Sequence, residues 1–199
     1  MLHKEFDSYD VVLASGSPRR QELFSAMGIP HRVEVRNIDE VYPNHLKASQ
    51  ITDYLALKKA EAFDQINNNQ IIITSDTIVW FEGRPVEKPL SRANALEMLE
   101  SLSGSVHEVY TSVCFKTKKE TRLVNDCTKV WIDKISTTEL EYYVDHYQPM
   151  DKAGGYGIQD FFGYIAVSRI EGCYYNVMGL PTRLVYQNLV SLVQGKTKD

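Results

Sequence analysis

Three acidic residues, one adjacent pair and one single residue, are of the type expected of divalent-cation ligands. Asp39 and Glu40 are adjacent carboxylates, and Asp76 directly follows the apolar run at 70–75. Hard carboxylate oxygens suit Mg²⁺ or Mn²⁺, which bind proteins through one or two carboxylates and also bind substrate phosphates. Asp76 is the stronger candidate, because a lone carboxylate at the end of an apolar strand needs a metal, a cap or another partner. The Asp39-Glu40 pair taken alone is more typical of a solvated loop.

The sequence Ser-Gly-Ser-Pro-Arg-Arg at 15–20 could bind an anion. It opens a predicted helix, where free backbone N–H groups, the helix dipole and two guanidinium groups favour negative charge. An equally good interpretation is that Ser17 and Pro18 merely begin a helix while Arg19 and Arg20 are solvated. The segment has neither the Walker A pattern nor the glycine pattern of dinucleotide-binding loops. The residues alone leave both interpretations open.

Three lysines, Lys59, Lys88 and Lys152, each precede a small or turn-forming residue. Considered singly, each is typical of an ordinary surface lysine. Lys152 lies in the segment 151–159, where three glycines within four positions predict special backbone angles or a close backbone approach. We therefore expect a ligand-contacting loop there. The histidines and the three cysteines form no metal-binding or disulfide pattern.

Hydrophobic periodicity and turn signals predict a mixed α/β protein. The predicted strands cover 11–15, 70–75, 107–117, 122–133 and 165–167, with a hairpin tip at 82–83. The predicted helices cover 18–27, 50–63, 91–104 and 181–193, and the Ser136–Glu139 capping box opens one more. The strand at 70–75 would deliver Asp76 at its carboxyl end, the edge at which open α/β sheets bind ligands.

The composition excludes several classes of protein. The chain has 199 residues, 43% of them hydrophobic and 24% charged, which is typical of a globular protein. Its formal net charge of −4 argues against a nucleic-acid polymer as partner, although a local basic cluster could still attract a small anion. No apolar run approaches the roughly 20 residues that cross a bilayer, and no signal-peptide core is present, so we expect a cytoplasmic protein without a membrane partner. No linker or repeat divides the chain, which predicts one domain over 1–199.

An ordered set of short motifs resembles the Maf family of nucleoside triphosphate pyrophosphatases. The likeness runs from Leu13 to about Leu189. The matching pieces are Leu-Ala-Ser-Gly-Ser-Pro-Arg-Arg at 13–20, Asp39-Glu40, Leu-Ala-x-x-Lys-Ala at 55–60, Ser-Asp-Thr-Ile-Val at 75–79, Lys88-Pro89, Ser-Gly-x-x-His at 103–107, Asp-Lys-Ala-Gly at 151–154, Tyr-Gly-Ile-Gln at 156–159 and Asn-Val-Met-Gly-Leu-Pro at 176–181. Each piece alone is weak evidence, whereas the whole set in this order is highly specific.

The resemblance implies an elongated fold like that of the inosine triphosphatases, with a mixed twisted sheet, flanking helices and two lobes around a central cleft, commonly as a homodimer. It also implies hydrolysis of a nucleoside triphosphate to the monophosphate and pyrophosphate with a divalent cation, Mg²⁺ or Mn²⁺. The implied catalytic residues are Asp76 as general base, Lys59 and Lys88, and the implied metal ligands are Glu40 and Asp76. The implied substrate-binding residues are Ser15, Arg19, Arg20, Thr77, Lys152 and Gln159, of which Arg19, Thr77 and Gln159 fall where the family sets base preference.

The resemblance also indicates a substrate class. The Asp76-Thr77 pair is similar to the dTTP/UTP subgroup, whereas the subgroup acting on 7-methyl-GTP usually carries Gln after the Asp. The alternatives are 7-methyl-GTP or another modified purine nucleotide as substrate, or a nucleotide-binding regulator of cell division without turnover. Gly155 and the segment 160–163 depart from the family pattern near Gln159, where the family sets base preference, and these departures leave the phosphate chemistry intact.

Overall fold

Seven strands form one mixed sheet within residues 4–195, the part of the chain that the structure, a computed structural model, describes. The strands are β1 (Asp10–Leu13), β2 (Arg32–Val33), β3 (Gln70–Phe81), β4 (Arg84–Val86), β5 (Val106–Lys116), β6 (Thr121–Ile132) and β7 (Val167–Glu171). Their spatial order is β2-β1-β3-β5-β6-β7, and β4 pairs with β3 outside this path. β1 pairs in parallel with β2 and β3, while β3, β5, β6 and β7 pair with one another in antiparallel fashion.

Helices flank this sheet, so the predicted mixed α/β class is confirmed. The α-helices in the described range are α1 (Pro18–Ala26), α2 (Ser49–Glu61), α3 (Arg92–Leu102), α4 (Thr137–Tyr147), α5 (Phe161–Ala166), α6 (Tyr174–Val177) and α7 (Thr182–Val193). Between residues 4 and 195, none of the helices combines the length and the apolar character needed to cross a bilayer.

Local capping signals explain where several helices begin. Ser136 and Glu139 form the predicted capping box at the start of α4, and Ser91 caps α3 by accepting a hydrogen bond from a backbone N–H. Ser17 precedes α1, but its side chain makes no capping hydrogen bond. The fixed φ of Pro18 in the first turn is therefore the local feature that favours the start of α1.

β3 is longer than predicted, and its extra length decides where Asp76 lies. The sequence predicted a strand that ends at Ser75, whereas β3 continues to Phe81, so Asp76 lies inside the strand and not at its end. The parallel pairing with β1 stops at Ile73, but the antiparallel pairing with β5 continues to Trp80. β5 thus fixes the backbone at Asp76 on one side, while the departure of β1 leaves the other side open.

The segment 161–171 differs from the prediction. A short strand was expected at 165–167, but α5 occupies the residues up to Ala166 and β7 follows it. Phe162 and Ala166 are buried while Tyr164 between them is exposed, which fits the four-residue spacing of a helix and not the two-residue alternation of a strand. Gly163 permits the packing, because a Cβ atom there would lie 1.8 Å from the carbonyl oxygen of Ile158.

Two large hydrophobic clusters pack on the sheet, and β3 contributes to both. The α1–α7 cluster is formed by Phe6, Val11, Leu13, Leu23, Phe24, Ile29, Ile71, Ile73, Val113, Phe115, Leu180, Val185 and Leu189. The α3–α4 cluster is formed by Val79, Phe81, Ala95, Leu99, Leu102, Val109, Val130, Ile132, Leu140, Tyr143, Val144, Tyr156, Ile158, Phe162 and Ala166. Asp76 lies on β3 between Ile73 of the first cluster and Val79 of the second, so apolar packing on both sides holds its strand in place.

Candidate active site

A cleft of about 660 Å³ opens above β3 at the point where β1 leaves the sheet. This volume is typical of a small-molecule site. All ten residues that the sequence predicted for the site line this one cleft: Ser15, Arg19, Arg20, Glu40, Lys59, Asp76, Thr77, Lys88, Lys152 and Gln159. They come from α1, α2, β3 and four connecting segments, so the fold brings together residues that are far apart in sequence.

The cleft wall is basic although the whole chain is acidic. Among the described residues, six basic side chains and four acidic ones line it, whereas the formal net charge of the full sequence is −4. The basic lining residues are Arg19, Arg20, Arg36, Lys59, Lys88 and Lys152. A concave surface that carries excess positive charge concentrates small anions whatever the sign of the whole molecule.

Lys59 joins the two predicted metal ligands. Its Nζ lies 2.6 Å from Oδ1 of Asp76 and 2.8 Å from Oε1 of Glu40. The Asp76 side chain is 10% exposed and that of Lys59 is 16% exposed, so this pair is largely removed from water, while Glu40 is half-exposed. Oδ2 of Asp76 accepts no hydrogen bond from any residue between 4 and 195 and remains free to bind a ligand.

The two carboxylates have pKa values shifted in opposite directions. Burial raises the pKa of Asp76 above its ordinary value, although the charges of Lys59 and Arg20 oppose this shift. Burial would also raise the pKa of Glu40, but the hydrogen bond and charge of Lys59, together with the charge of Lys88, lower it. A pair of carboxylates separated in this way can divide acid-base and charge-stabilising roles, and such shifts in a cleft are typical of functional sites.

A lysine outside the prediction holds the loop that carries Glu40. Nζ of Lys58 donates hydrogen bonds to the backbone carbonyls of Asp39, at 2.6 Å, and Val41, at 3.1 Å. These contacts fix the backbone on both sides of Glu40. Asp39 itself does not line the cleft, so of the adjacent carboxylates only Glu40 faces the site.

Arg20 ties together the segments on either side of Asp76. Its guanidinium group donates to the carbonyl of Ser75 at 2.9 Å, to Oγ1 of Thr77 at 2.8 Å and to the carbonyl of Gly179 at 2.8 Å. Burial lowers the pKa of Arg20, and the charge of Asp76 opposes this shift. Because a guanidinium has five N–H groups, two remain for a ligand.

The hydroxyl of Thr77 belongs to a hydrogen-bond chain that limits its role. Thr111 donates its single hydroxyl proton to the carbonyl of Asn176 at 3.0 Å, so in the 3.0 Å contact between the two threonines Thr77 is the donor. Thr77 also accepts from Arg20. Its hydroxyl can therefore only accept a hydrogen bond from a ligand.

The glycine-containing segment forms the other wall of the cleft. Gly154 has φ of +71°, and a Cβ atom there would lie 2.8 Å from Val79, so the predicted special backbone angle and close approach are both confirmed. Gln159, which follows in the same segment, has a buried Oε1 atom without a hydrogen-bond partner among the described residues. A buried acceptor that lacks a partner and lines a cleft is available to a ligand donor.

The family is shown by sequence comparison. Residues 10–192 match the family model described as Maf-like protein. The chain belongs to the Maf family. It is 46% identical over 194 residues to a protein of Flavobacterium johnsoniae named dTTP/UTP pyrophosphatase, which covers 97% of this chain and 100% of that relative.

Two further relatives carry the same name. The dTTP/UTP pyrophosphatase of Christiangramia forsetii is 46% identical over 194 residues, with 97% of this chain and 99% of the relative covered. The dTTP/UTP pyrophosphatase of Bacteroides thetaiotaomicron is 45% identical over 188 residues, with 94% of this chain and 97% of the relative covered. The likeness to these relatives therefore extends over nearly the whole chain.

Among the cleft residues that the sequence prediction did not name, Asp151 and Ser75 stand out by their contacts. Asp151 bonds to Arg19, which is 132 positions away, and no local pattern could have revealed this contact. Ser75 has a buried hydroxyl without a partner among the described residues, directly beside Asp76. Asp151 lies within a motif that the resemblance had already selected, and that motif was the one available signal for its importance.

Proposed function

We propose that this chain hydrolyses dTTP and UTP to the nucleoside monophosphate and pyrophosphate. The observation that carries the proposal is the convergence of Asp76, Lys59 and Glu40 in one basic cleft of nucleotide size. The shared name of the near full-length relatives supports the same activity. A triphosphate carries several negative charges, and the basic wall of the cleft suits it.

The residues present fit a divalent cation that is held partly by the substrate. Among residues 4–195, no group of three or more His, Cys, Asp or Glu side chains could hold a metal alone. Glu40 and Asp76 supply two hard carboxylates, the number that Mg²⁺ or Mn²⁺ commonly takes when substrate phosphates complete the coordination. When bound there, the cation would neutralise phosphate charge and favour ionisation of a nearby water.

Asp76 is the proposed general base. Its free Oδ2 atom would accept a proton from a water molecule as the water oxygen bonds to the α-phosphorus. The bond between the α-phosphorus and the bridging oxygen breaks, and pyrophosphate leaves with the electron pair.

The basic side chains would hold the triphosphate in line for this attack. Lys59 already lies against Asp76 and would keep that carboxylate oriented while it neutralises charge. Lys88 and Lys152, with the two spare N–H groups of Arg20, would contact the phosphate oxygens, and Ser15 lines the same cleft. Phosphoryl chemistry of this kind depends mainly on positioning and charge neutralisation.

The preference for one nucleobase over another is assigned to Arg19, Thr77 and Gln159. Thr77 and the buried Oε1 of Gln159 both offer acceptors, which suits the N3–H group that uracil and thymine carry and cytosine lacks. A site that leaves buried polar groups unpaired with the wrong base can reject that base strongly.

A substrate panel tests the proposal. Pyrophosphate release would be measured for dTTP, UTP, dCTP, dATP, dGTP and 7-methyl-GTP, with Mg²⁺, with Mn²⁺ and with a chelator. We expect kcat/KM for dTTP and UTP to exceed the other values by about tenfold or more. A preference for 7-methyl-GTP would move the assignment to the modified-purine alternative. Tight nucleotide binding without release of pyrophosphate from any substrate would support the non-catalytic regulator.

We also propose that the chain works as a cytoplasmic homodimer, each copy being one domain over 1–199 with two lobes around the cleft. Light scattering after size-exclusion chromatography would give the mass of a dimer. Thermal unfolding would show one cooperative transition for a single domain. A monomeric mass or two separate transitions would each reject the corresponding part of this proposal.

A further inference from the structure

Asp151 bridges two of the basic residues of the cleft. Its Oδ2 lies 2.5 Å from Nη1 of Arg19, and its Oδ1 lies 2.8 Å from Nζ of Lys152. Burial would raise the pKa of Asp151, but the hydrogen bonds from Lys152 and Arg19 lower it, so the group is ionised at neutral pH. The two carboxylate oxygens of Asp151 therefore contact different basic side chains, Oδ2 that of Arg19 and Oδ1 that of Lys152.

The bridge continues toward Gln159. Nζ of Lys152 lies 3.7 Å from Oδ2 of Asp160, and the hydroxyl of Tyr143 donates to the same oxygen at 3.3 Å. That hydroxyl in turn accepts a hydrogen bond from the backbone N–H of Gly157 at 3.0 Å. Gly157 precedes Gln159 in the sequence and Asp160 follows it. The chain of contacts therefore reaches the backbone before Gln159 and the side chain after it.

The contact between Arg19 and Asp151 crosses the cleft. Arg19 belongs to α1, which packs into the α1–α7 cluster through Leu23 and Phe24. Asp151 lies between Met150 and Lys152, in a segment that packs on the α3–α4 cluster. The pair therefore links the two sides of the cleft directly at its rim.

We propose that Asp151 is a positioning residue that sets base discrimination, because it holds Arg19 at a fixed spacing from Gln159 through Lys152 and Asp160. The inference rests on the proposed function, in which Arg19 and Gln159 read the base. The side chain of Asp151 is 55% exposed, and exposed ion pairs add little to stability. The effect of Asp151 is therefore expected in substrate selection and not in the stability of the fold.

A purely electrostatic role for Asp151 would give a different result. A carboxylate near the triphosphate repels it, so removal of that charge would tighten the binding of every nucleotide to the same degree. dTTP and dCTP have the same triphosphate, the same sugar and nearly the same size, and they differ mainly at the base edge. The ratio of their kcat/KM values cancels a uniform charge effect and isolates the reading of the base.

The experiment compares Asp151→Asn with Asp151→Glu and with a charge-matched control. The control is Asp145→Asn, which removes a carboxylate from the exposed Asp145–Arg92 ion pair. Neither residue of this pair lines the cleft. For Asp151→Asn we expect the dTTP/dCTP ratio to fall about tenfold and kcat for dTTP to stay within about threefold, as for a loss of positioning at a distance from the reacting atoms. Asp151→Glu restores the charge and should keep the ratio within about threefold of the parent value, and Asp145→Asn should leave it unchanged.

Several outcomes would overturn the proposal. An unchanged ratio with a uniformly lower KM would assign Asp151 to electrostatics alone. An equal fall of the dTTP/dCTP ratio in Asp145→Asn would show a general charge effect. A parent enzyme with equal kcat/KM values for dTTP and dCTP would show no base discrimination for Asp151 to control. If Asp151→Asn fails to fold, Asp160→Asn breaks the same chain of contacts, and its ratio should fall about threefold, as expected for loss of one weak ion pair.

Binding measurements separate this inference from the proposed function. If the parent chain releases pyrophosphate from no nucleotide, the proposed function fails. The dissociation constants of dTTP and dCTP, measured by titration calorimetry with Mg²⁺ for the parent and Asp151→Asn, still test the positioning role. A dissociation-constant ratio that is equal in both proteins would reject it.

Discussion

Asp76 and His107 lie on the paired strands β3 and β5, and only 7% and 2% of their whole-residue surfaces are exposed. The surroundings of Asp76 are charged, whereas those of His107 are neutral. Asp76 belongs to a charged cluster with Lys59, Glu40 and Arg20. His107 forms a hydrogen bond of 2.7 Å with the hydroxyl of Tyr156, and these two groups form a neutral pair.

Burial explains the neutral pair. It lowers the pKa of His107 to about 4 and raises that of Tyr156, so neither group is charged near neutral pH. Nδ1 of His107 is buried without a partner among the described residues, and the ring packs edge-on against Tyr156. The pair fixes β5 against the segment that carries Gln159, and its contribution is structural.

The charged cluster retains its charges because each lies beside an opposite charge and faces the cleft. Removal of charged groups from water costs free energy, and their mutual attraction rarely gives a net gain in stability. Buried charges that face a ligand cleft are therefore expected to serve binding or catalysis at some cost to stability. The comparison predicts that changes in the charged cluster affect activity, whereas changes in the neutral pair affect stability.

The largest effect is expected for Asp76→Asn. This change removes the proposed base while it preserves the shape of the side chain, so turnover of dTTP should fall on the order of 100-fold or more. The midpoint of thermal unfolding should move by only a few degrees, since Lys59 keeps Glu40 as a partner. Pyrophosphate release and calorimetry measure the two quantities. The control is Asp53→Asn, because Asp53 accepts a hydrogen bond from Ser112 and does not line the cleft. Near-normal turnover in Asp76→Asn would remove Asp76 from the mechanism.

The next effect is expected for Glu40→Gln. Loss of one of the two proposed metal ligands should raise the Mn²⁺ concentration that gives half-maximal activity by about tenfold, and a chelator should abolish turnover of the parent. Metal titrations of the parent and the variant measure this shift. Asp39→Asn is the matched control, because Asp39 is adjacent but does not line the cleft. Turnover that survives the chelator would exclude a metal requirement.

A smaller effect, and one on stability, is expected for His107→Leu. The change leaves the hydroxyl of Tyr156 buried without its partner, which should lower the free energy of unfolding by about 1–3 kcal/mol. The value of kcat for the folded protein should change by less than about threefold, because His107 does not line the cleft. Urea unfolding and initial rates give the two numbers. A loss of activity without a loss of stability would break the comparison between the two sites.

The smallest effect is the response of the neutral pair to pH. The pKa of His107 is about 4 in the folded protein, below its ordinary value of 6.5, so the unfolded chain binds a proton more readily. Stability is therefore complete above about pH 6.5 and decreases as the pH falls toward 4. The group that faces His107 is the hydroxyl of Tyr156, which stays neutral throughout. Between pH 7 and pH 6 the loss should be on the order of 0.5 kcal/mol in urea unfolding, and it should be absent in His107→Leu.

Much of the fold follows from local patterns in the sequence. The periodicity of apolar residues predicted α2, α3, β5, β6 and α7 at nearly their observed bounds, and the Ser136–Glu139 pattern predicted the start of α4. The two errors have a common cause. The sequence predicted that the strand carrying Asp76 ends at Ser75 and that a strand covers 165–167, whereas pairing with β5 extends β3 and packing of Phe162 favours a helix. Both outcomes depend on neighbours that are distant in sequence.

The sequence by itself predicted ten site residues, because the ordered motifs and their residue types single them out, and all ten line one cleft. Only the tertiary structure decided how those residues are paired. It placed Lys59 between Asp76 and Glu40, assigned three donors of Arg20 to Ser75, Thr77 and Gly179, and joined Arg19 to Asp151. The physical reason is that hydrogen bonds and ion pairs depend on distances of a few ångströms between side chains, and no local pattern encodes a contact between residues 132 positions apart.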